Sequence, residues 1–184
     1  MSKVKNYLSL IKFSHTIFAL PFALIGFFIG LFYYPKGIQV VIPGWSIAIP
    51  DRFFNKMKIT IASEDILPKF IFVLLCMIFI RSAAMAFNRY LDRSFDAENP
   101  RTSIREIPAG IISANSALLF TIITSILFVV TCYFINSLCF YLSPVALAVT
   151  LGYSFTKRFT PLCHLVLGAG LALAPIGAYI AVTG

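Results

Sequence analysis

Acidic side chains are scarce in this 184-residue chain. There are seven Asp and Glu against fifteen Lys and Arg, and no carboxylate side chain follows Glu106. Charged residues make up 12% of the total, where a soluble domain carries roughly a quarter. A water-soluble globule is therefore excluded. The four cysteines (Cys76, Cys132, Cys139 and Cys163) form no C-x-x-C pair and no ligand-spaced cluster, which argues against a zinc site or a disulfide framework. Lying in or beside apolar segments, they read as small buried hydrophobes. No small-x-small cleavage site closes the first apolar run, so a retained first helix is expected in place of a signal peptide.

What is present is apolar: 59% hydrophobic residues, nineteen Phe and a mean hydropathy of +0.90. That composition reads as an integral membrane protein. The net charge of +8 does not point to nucleic acid, because the basic residues form no single surface stripe. They set orientation instead, since Lys and Arg collect in loops left on the cytoplasmic side.

The fold class expected is all-α, a polytopic transmembrane helix bundle with about five spans in one membrane domain, 1–184. Residues 1–15 read as an amphipathic entry, with Tyr7, Leu8, Leu10, Ile11 and Phe13 among Lys3, Lys5 and Lys12, lying at the membrane interface. The first span covers about 16–34, with Pro21 near its start, where proline costs little. Its Gly26 and Gly30 form a G-x-x-x-G that lets two helices approach closely. Residues 35–69 read as a Pro- and Gly-punctuated extracytoplasmic loop insertion in which Trp45 suits the interface. Further spans follow at about 70 onward, 111–134, 138–155 and 162–182, with a tight turn at Asn136 and Ser137. Loop charges place the N-terminus in the cytoplasm, with Arg89, Arg93, Arg101, Arg105, Lys157 and Arg158 on the same side.

The charge gathers in "FNRYLDRSFDAENPRTSIREIPAG", residues 87–110, which holds four of the seven acids. Within it Asn88, Asp92 and Asp96 fall at i, i+4 and i+8. Each step of four turns about 40° on a helix, so the three share one stripe about 12 Å long. Two carboxylates and an amide oxygen are hard ligands suited to a Mg²⁺ that also binds phosphate oxygens. The arginines nearby can fork onto phosphate. Together these residues suggest a diphosphate held through magnesium, with an apolar tail among the Phe-rich spans. A solvated, positively charged loop would explain the charge without the spacing. Arg81, near the middle of the second span, is costly unless it faces a polar pocket or snorkels.

Four segments carry a resemblance: "IKFSHTIFALPFALIGFFIG", the stretch around "NRYLDRSFDAENPRTSIREIPAG", "YSFTKRFTPLCHLVLG" and "LALAPIGAYIAVTG". They resemble the UbiA-type membrane prenyltransferases, most of all the 4-hydroxybenzoate polyprenyltransferase branch, over nearly the whole chain apart from 35–69. The resemblance implies the N-terminal part of a nine-helix fold in the bacterial inner membrane, with the active site facing the cytoplasm. It implies Mg²⁺-dependent transfer of a polyprenyl group from polyprenyl diphosphate to an aromatic quinone precursor, in ubiquinone or menaquinone biosynthesis.

It further implies that Asn88, Asp92 and Asp96 bind the metal, and that Asp92, Asp96 and Arg105 are catalytic. Asn88, Arg101, Arg105, Lys157 and Arg158 would bind the diphosphate, and Tyr153 would shield the cationic intermediate. His15, in "SHTIFALP", is a further candidate near the aromatic acceptor, or an interfacial hydrogen-bonding residue; His164 reads as structural.

The chain departs from that pattern in one respect. The family has a second aspartate-rich motif, and nothing after Glu106 matches it. The 184 residues alone are therefore expected to have little or no transferase activity. Three accounts fit: the N-terminal part of a longer enzyme, a truncated product, or one component completed by a missing C-terminal half or partner chain. The alternative reading is a non-catalytic membrane subunit that only binds polyprenyl diphosphate.

Overall fold

A computed structural model describes residues 3–33, 63–160 and 162–184. Most of the expected insertion loop, with Trp45, lies outside the described residues, as do the side chains of 13–19, including His15. The described chain is all-helical: α1 Lys3–Leu10, α2 Phe13–Tyr33, α3 Ser63–Glu98, α4 Ala114–Ile135, α5 Ser137–Thr156 and α6 Cys163–Thr183. Four stretches are long and apolar enough to cross a membrane: Ile66–Glu98, Ala114–Ile135, Ser137–Thr156 and Cys163–Thr183. Within α2 the described apolar stretch is Leu20–Phe32. The protein is an integral, multi-spanning membrane helix bundle.

Two boundaries differ from the sequence reading. The end of the 35–69 segment is helical, because α3 starts at Ser63 and Pro68 is carried inside it. A proline that early removes at most one helical hydrogen bond, so it punctuates the sequence without stopping the helix. Similarly, α2 begins at Phe13, which leaves Pro21 in its interior and not near its start.

The length of α3 decides where the charged stripe lies. Its 36 residues extend about 54 Å at 1.5 Å per residue, against a hydrocarbon core about 30 Å thick. At least one end must therefore project past the acyl chains, and the C-terminal end, with Arg89, Asp92, Arg93, Asp96 and Glu98, carries the larger share of charge for water to solvate. Along α4, Leu119, Ile122, Ile126, Val130 and Tyr133 are exposed at helical spacing. Ala117, Thr121, Thr124, Phe128, Thr131 and Cys132 are buried on its other face. The buried threonines satisfy their hydroxyls on their own helix, as in Thr121 Oγ1 to Ala117 O at 3.0 Å and Thr131 Oγ1 to Leu127 O at 2.7 Å. The outer stripe thus has the chemistry of a lipid-facing surface.

From α3 to α6 helix pairing follows chain order, whereas α1 touches α3 and α2 packs chiefly on α6. The G-x-x-x-G residues make that contact. A Cβ built on Gly26 would lie 2.0 Å from Pro175 O, and one on Gly30 would lie 3.0 Å from Val182 Cβ. The turn between α4 and α5 is locked by Asn136. Its Oδ1 accepts from Cys139 N at 2.7 Å, capping α5, while its Nδ2 donates to Ile180 O of α6 at 2.9 Å. Ala23, Phe27, Val73, Met77, Phe128, Cys132, Ala178 and Val182 form the main core. At the opposite end Leu10, Ala86, Ile112 and Ala117 form a second cluster, with the Tyr7 ring of α1 tilted against Phe120 at 5.1 Å between centroids.

Gly26→Ala places a methyl group against backbone that cannot move aside, so it should destabilise the bundle by about 1–3 kcal/mol. Gly168→Ala meets nothing within 4 Å and should leave stability unchanged or slightly raised. Unfolding of both variants in detergent micelles by graded denaturant checks the contrast, and equal behaviour would contradict the close α2–α6 approach.

Candidate diphosphate site at the mouth of an apolar cavity

The stripe on α3 is the base of the site. Asn88, Asp92 and Asp96 stand one turn apart along the projecting end of the helix, and two separate elements reach them. The first is the segment after α3. Thr102 N bonds Asn99 O at 2.9 Å, Arg105 N bonds Thr102 O at 3.0 Å, and Ala109 N bonds Arg105 O at 2.9 Å. Thr102 Oγ1 also donates to Asp96 O at 3.0 Å. The segment then turns into α4 through Gly110, at φ +72°, which glycine adopts without strain. This chain of turns folds Arg105 back onto Asp96. Its Nη1 donates to both carboxylate oxygens, at 2.6 and 2.8 Å.

The second element is the end of α5. Lys157 follows its last residue, and its Nζ donates to Asn88 Oδ1 at 2.5 Å and to Asp92 Oδ2. Arg158 Nη2 lies 3.6 Å from Asp92 Oδ1, donates to Leu91 O, and its guanidinium sits 5.3 Å from the Phe95 ring.

Arg89 completes the set from α3 itself. Its Nη1 is 3.9 Å from Asp96 Oδ2, and the residue is 7% exposed, as is Asp96. The sequence reading counted Arg89 among the phosphate-type arginines but did not assign it to the site. Its signal was present, since residues 89 and 96 differ by seven, two turns, and so share a helix face. Four cations thus meet two carboxylates, an excess of two positive charges.

Arg101 is the predicted residue that does not join this network. It is exposed at the start of the connecting segment, where its N–H donates to Asn99 Oδ1 at 3.0 Å. Arg93 also points away, donating to Tyr90 O at 2.8 Å and lying 4.5 Å over the Tyr90 ring.

Below the stripe lies a cavity of about 290 Å³ walled by α3, α4, α5 and α6. Asn88 and Tyr153 line its charged end; Ile135, Cys139 and Ile180 line the other. From Val73 to Asn88 its wall on α3 is about 22 Å long at 1.5 Å per residue. The lining is mostly aliphatic, with Arg81, Ser143, Thr150 and Ser154 as polar points. Arg81 therefore faces a cavity, as its mid-span position requires. The four cysteines are free thiols, and Cys76 and Cys132 stand Sγ to Sγ at 3.7 Å across α3 and α4. Nothing in the sequence indicated that pairing.

The donor set can be tested against a divalent cation. The ammonium of Lys157 already sits between an amide oxygen and a carboxylate oxygen from successive turns, so Asn88 and Asp92 converge on one cation. Asp96 does not join them in this arrangement, because Arg105 takes both of its oxygens. No group of three or more His, Cys, Asp or Glu residues that could hold a metal occurs among the described residues. Two of the three predicted ligands are thus presented to a common cation, and the third is held by arginine.

Comparison with known proteins bears on the whole arrangement. Over 105 residues the chain is 39% identical to a 4-hydroxybenzoate octaprenyltransferase of Tolumonas auensis, covering 57% of this chain and 37% of that protein. It is 42% identical over 92 residues to the protein of that name from Vibrio cholerae, covering 48% and 31%. Among solved structures, a UbiA homolog from Aeropyrum pernix K1 superposes with a TM-score of 0.71 at 29% identity, over 93% of this chain and 51% of that one. A UbiA homolog from Archaeoglobus fulgidus, bound to GPP and Mg²⁺, has the same fold, with a TM-score of 0.65 at 23% identity over 97% and 54%. The chain thus spans about half the length of these solved relatives. The model of the UbiA prenyltransferase family matches residues 59–184, including 59–69, which the sequence reading had assigned to the insertion. With that match over most of its length and the shared helical fold, the chain belongs to the UbiA prenyltransferase family.

Proposed function

We propose that this chain binds a polyprenyl diphosphate and serves transfer of its prenyl group to an aromatic quinone precursor such as 4-hydroxybenzoate. The observation that carries this reading is the excess of cations at the mouth of a long apolar cavity. An apolar cavity alone suits any lipid tail, and a cationic patch alone suits any anion. Joined end to end, they match a molecule with a diphosphate at one end and hydrocarbon along the rest. The GPP and Mg²⁺ bound by the Archaeoglobus fulgidus homolog and the names of the 4-hydroxybenzoate relatives support this choice. The reading includes a fifth span through α2, an N-terminus on the cytoplasmic side and a site opening to the cytoplasm, as the positive loops favour.

In this reading Arg105, Arg158 and Lys157 bind the diphosphate oxygens, with Arg105 also holding Asp96 in place. Asn88 and Asp92 would hold Mg²⁺, which when bound supplies charge neutralisation for the leaving group. As the allylic C–O bond breaks, its electron pair leaves with the diphosphate, and the cations are already aimed at the charge that develops there. The aromatic acceptor forms the new C–C bond and loses a ring proton. Tyr153, at the charged end of the cavity, would shield the allylic cation with its ring.

A second reading rests on the absence of any carboxylate after Glu106. With one acidic stripe, the chain on its own binds the diphosphate without turning it over. The two readings differ in whether labelled prenyl groups reach 4-hydroxybenzoate when the purified chain is supplied with farnesyl diphosphate and Mg²⁺.

Both readings require the stripe. Asp92→Asn should weaken Mg²⁺-dependent binding of farnesyl diphosphate about tenfold or more, by analogy with the loss when metal-site partners are removed. Titration in micelles with and without Mg²⁺ measures this, and an unchanged affinity would remove the stripe from the site.

The cavity can be tested separately. A side chain at Gly170, on the cavity wall, meets nothing within 4 Å of its first carbon. Gly170→Leu should therefore fold normally and weaken binding of long polyprenyl diphosphates more than that of geranyl diphosphate. A uniform effect on all chain lengths would mean that the tail lies elsewhere.

A further inference from the structure

Lys157 stands where a ligand of the stripe would stand. Its Nζ donates to Asn88 Oδ1 at 2.5 Å and to Asp92 Oδ2. These are the two oxygens that converge from successive turns of α3, and a hard divalent cation would need the same lone pairs. An ammonium and a metal ion cannot both hold them, for want of lone pairs and because like charges repel at that distance.

The other carboxylate is treated differently. Asp96 accepts at both oxygens from one nitrogen of Arg105, Nη1, and is backed by buried Arg89. Lys157 is a point charge on a flexible stem, and the carboxylate it holds is the more open of the two, Asp92 at 18% against Asp96 at 10%. Its three donors can be re-aimed without loss of a fixed planar geometry.

We infer that Lys157 is an internal counter-cation that fills the metal position between Asn88 and Asp92 until a diphosphate draws it away. This rests on the reading of Asn88 and Asp92 as metal ligands given above. While the ammonium holds the oxygens, the stripe is neutralised from within, and Asp92 does not stand as a bare carboxylate beside the apolar cavity. A divalent cation arriving alone meets a site already taken. Its apparent affinity falls by the fraction of molecules in which Lys157 has swung out. A diphosphate changes the balance, because its oxygens offer the ammonium a partner of higher charge. Once Lys157 moves to them, Asn88 and Asp92 are released together. The metal and the diphosphate therefore favour each other's binding, by the same factor in both directions. Lys157 is thus a positioning residue that makes the site assemble when the prenyl donor arrives.

The test uses Mn²⁺ as a paramagnetic probe, with the full chain in micelles and no prenyl donor present. Binding is read by electron paramagnetic resonance. Lys157→Met should bind Mn²⁺ about tenfold more tightly than wild type, as expected if the free site is populated in roughly a tenth of molecules. Lys157→Gln, which keeps a hydrogen-bond donor without the charge, should gain less, and it guards against a folding defect peculiar to Met. Arg93→Met removes the same charge from the residue next to Asp92, whose side chain turns to Tyr90 and does not touch the stripe oxygens, and should change affinity less than about threefold because exposed charges are screened.

Adding methylene bisphosphonate should tighten Mn²⁺ binding more in wild type than in Lys157→Met, since only the wild type has an ammonium to displace. Equal gains in Lys157→Met and Arg93→Met would reduce the effect to net charge and overturn the inference. So would unchanged or weaker Mn²⁺ binding in both Lys157 variants. If neither wild type nor Lys157→Met shows Mn²⁺ binding that Asp92→Asn abolishes, the metal site itself is wrong, and the inference falls with it. That outcome is distinguishable from Mn²⁺ binding that depends on Asp92 and ignores Lys157.

Discussion

The arrangement turns on one electrostatic constraint: two carboxylates on α3 stand beside an apolar cavity and must be compensated. Asp96 is 7% exposed and Asp92 is only partly solvated. An uncompensated charge in such a place costs several kcal/mol. The chain answers with cations brought from two directions, the segment after α3 and the end of α5. Each ion pair is therefore also a tie that fixes a connection to the helix. Arg105 folds residues 99–110 back over the end of α3, and Lys157 anchors the last turn of α5 beside it. The site and the local fold are the same set of contacts.

The far half of the bundle is held by other means. There α2 and α6 meet backbone to backbone at Gly26 and Pro175, and Asn136 ties the α4–α5 turn to α6 through Ile180 O. Neither depends on charge. Close backbone approach and side chain-to-backbone hydrogen bonds are the forces available where lipid surrounds a protein, since burying apolar surface away from lipid gains little. The cavity lies between these two regimes. Its lower walls are positioned by packing, its mouth by ion pairs, and the side chains between them are mostly aliphatic, with Arg81 the charged exception.

Much of this was legible in the residues. The i, i+4, i+8 spacing places Asn88, Asp92 and Asp96 on one face whatever the tertiary structure, because helical periodicity alone determines it. The turn at Asn136 and the close contact at Gly26 and Gly30 were equally local signals. What could not be read was which residue would touch which across long separations. Arg101 and Arg105 are chemically alike in the sequence. Only the succession of turns after Asn99 decides that Arg105 returns to Asp96 while Arg101 stays exposed. Arg89 was overlooked because its partner lies two turns away on its own helix, a spacing easily passed over beside the more obvious stripe. The helical start of α3 was hidden by Pro68, which marks a break in most contexts and is tolerated early in a helix. The approach of Cys76 to Cys132 depends on the rotation of α3 against α4, which no local pattern encodes.

The two sides of the stripe are built for different kinds of permanence. Arg105 Nη1 donates to both oxygens of Asp96, with Arg89 buried behind it. Asp96 is the more buried carboxylate and two guanidinium groups compensate it, so this cluster behaves as part of the scaffold. Lys157 meets Asn88 and Asp92, the more exposed of the two carboxylates, as a single rotatable charge. The asymmetry matters because a site with both carboxylates locked would be too well satisfied to accept a new ligand. With both free, it would repel itself and lose its shape. Fixing Asp96 while leaving Asp92 exchangeable keeps α3 and its neighbours in register, yet reserves one carboxylate and one amide oxygen for chemistry. The excess of positive charge then remains after that exchange. It makes an anion at the cavity mouth the natural completion of the site, and the length of the apolar wall below makes it an anion with a tail.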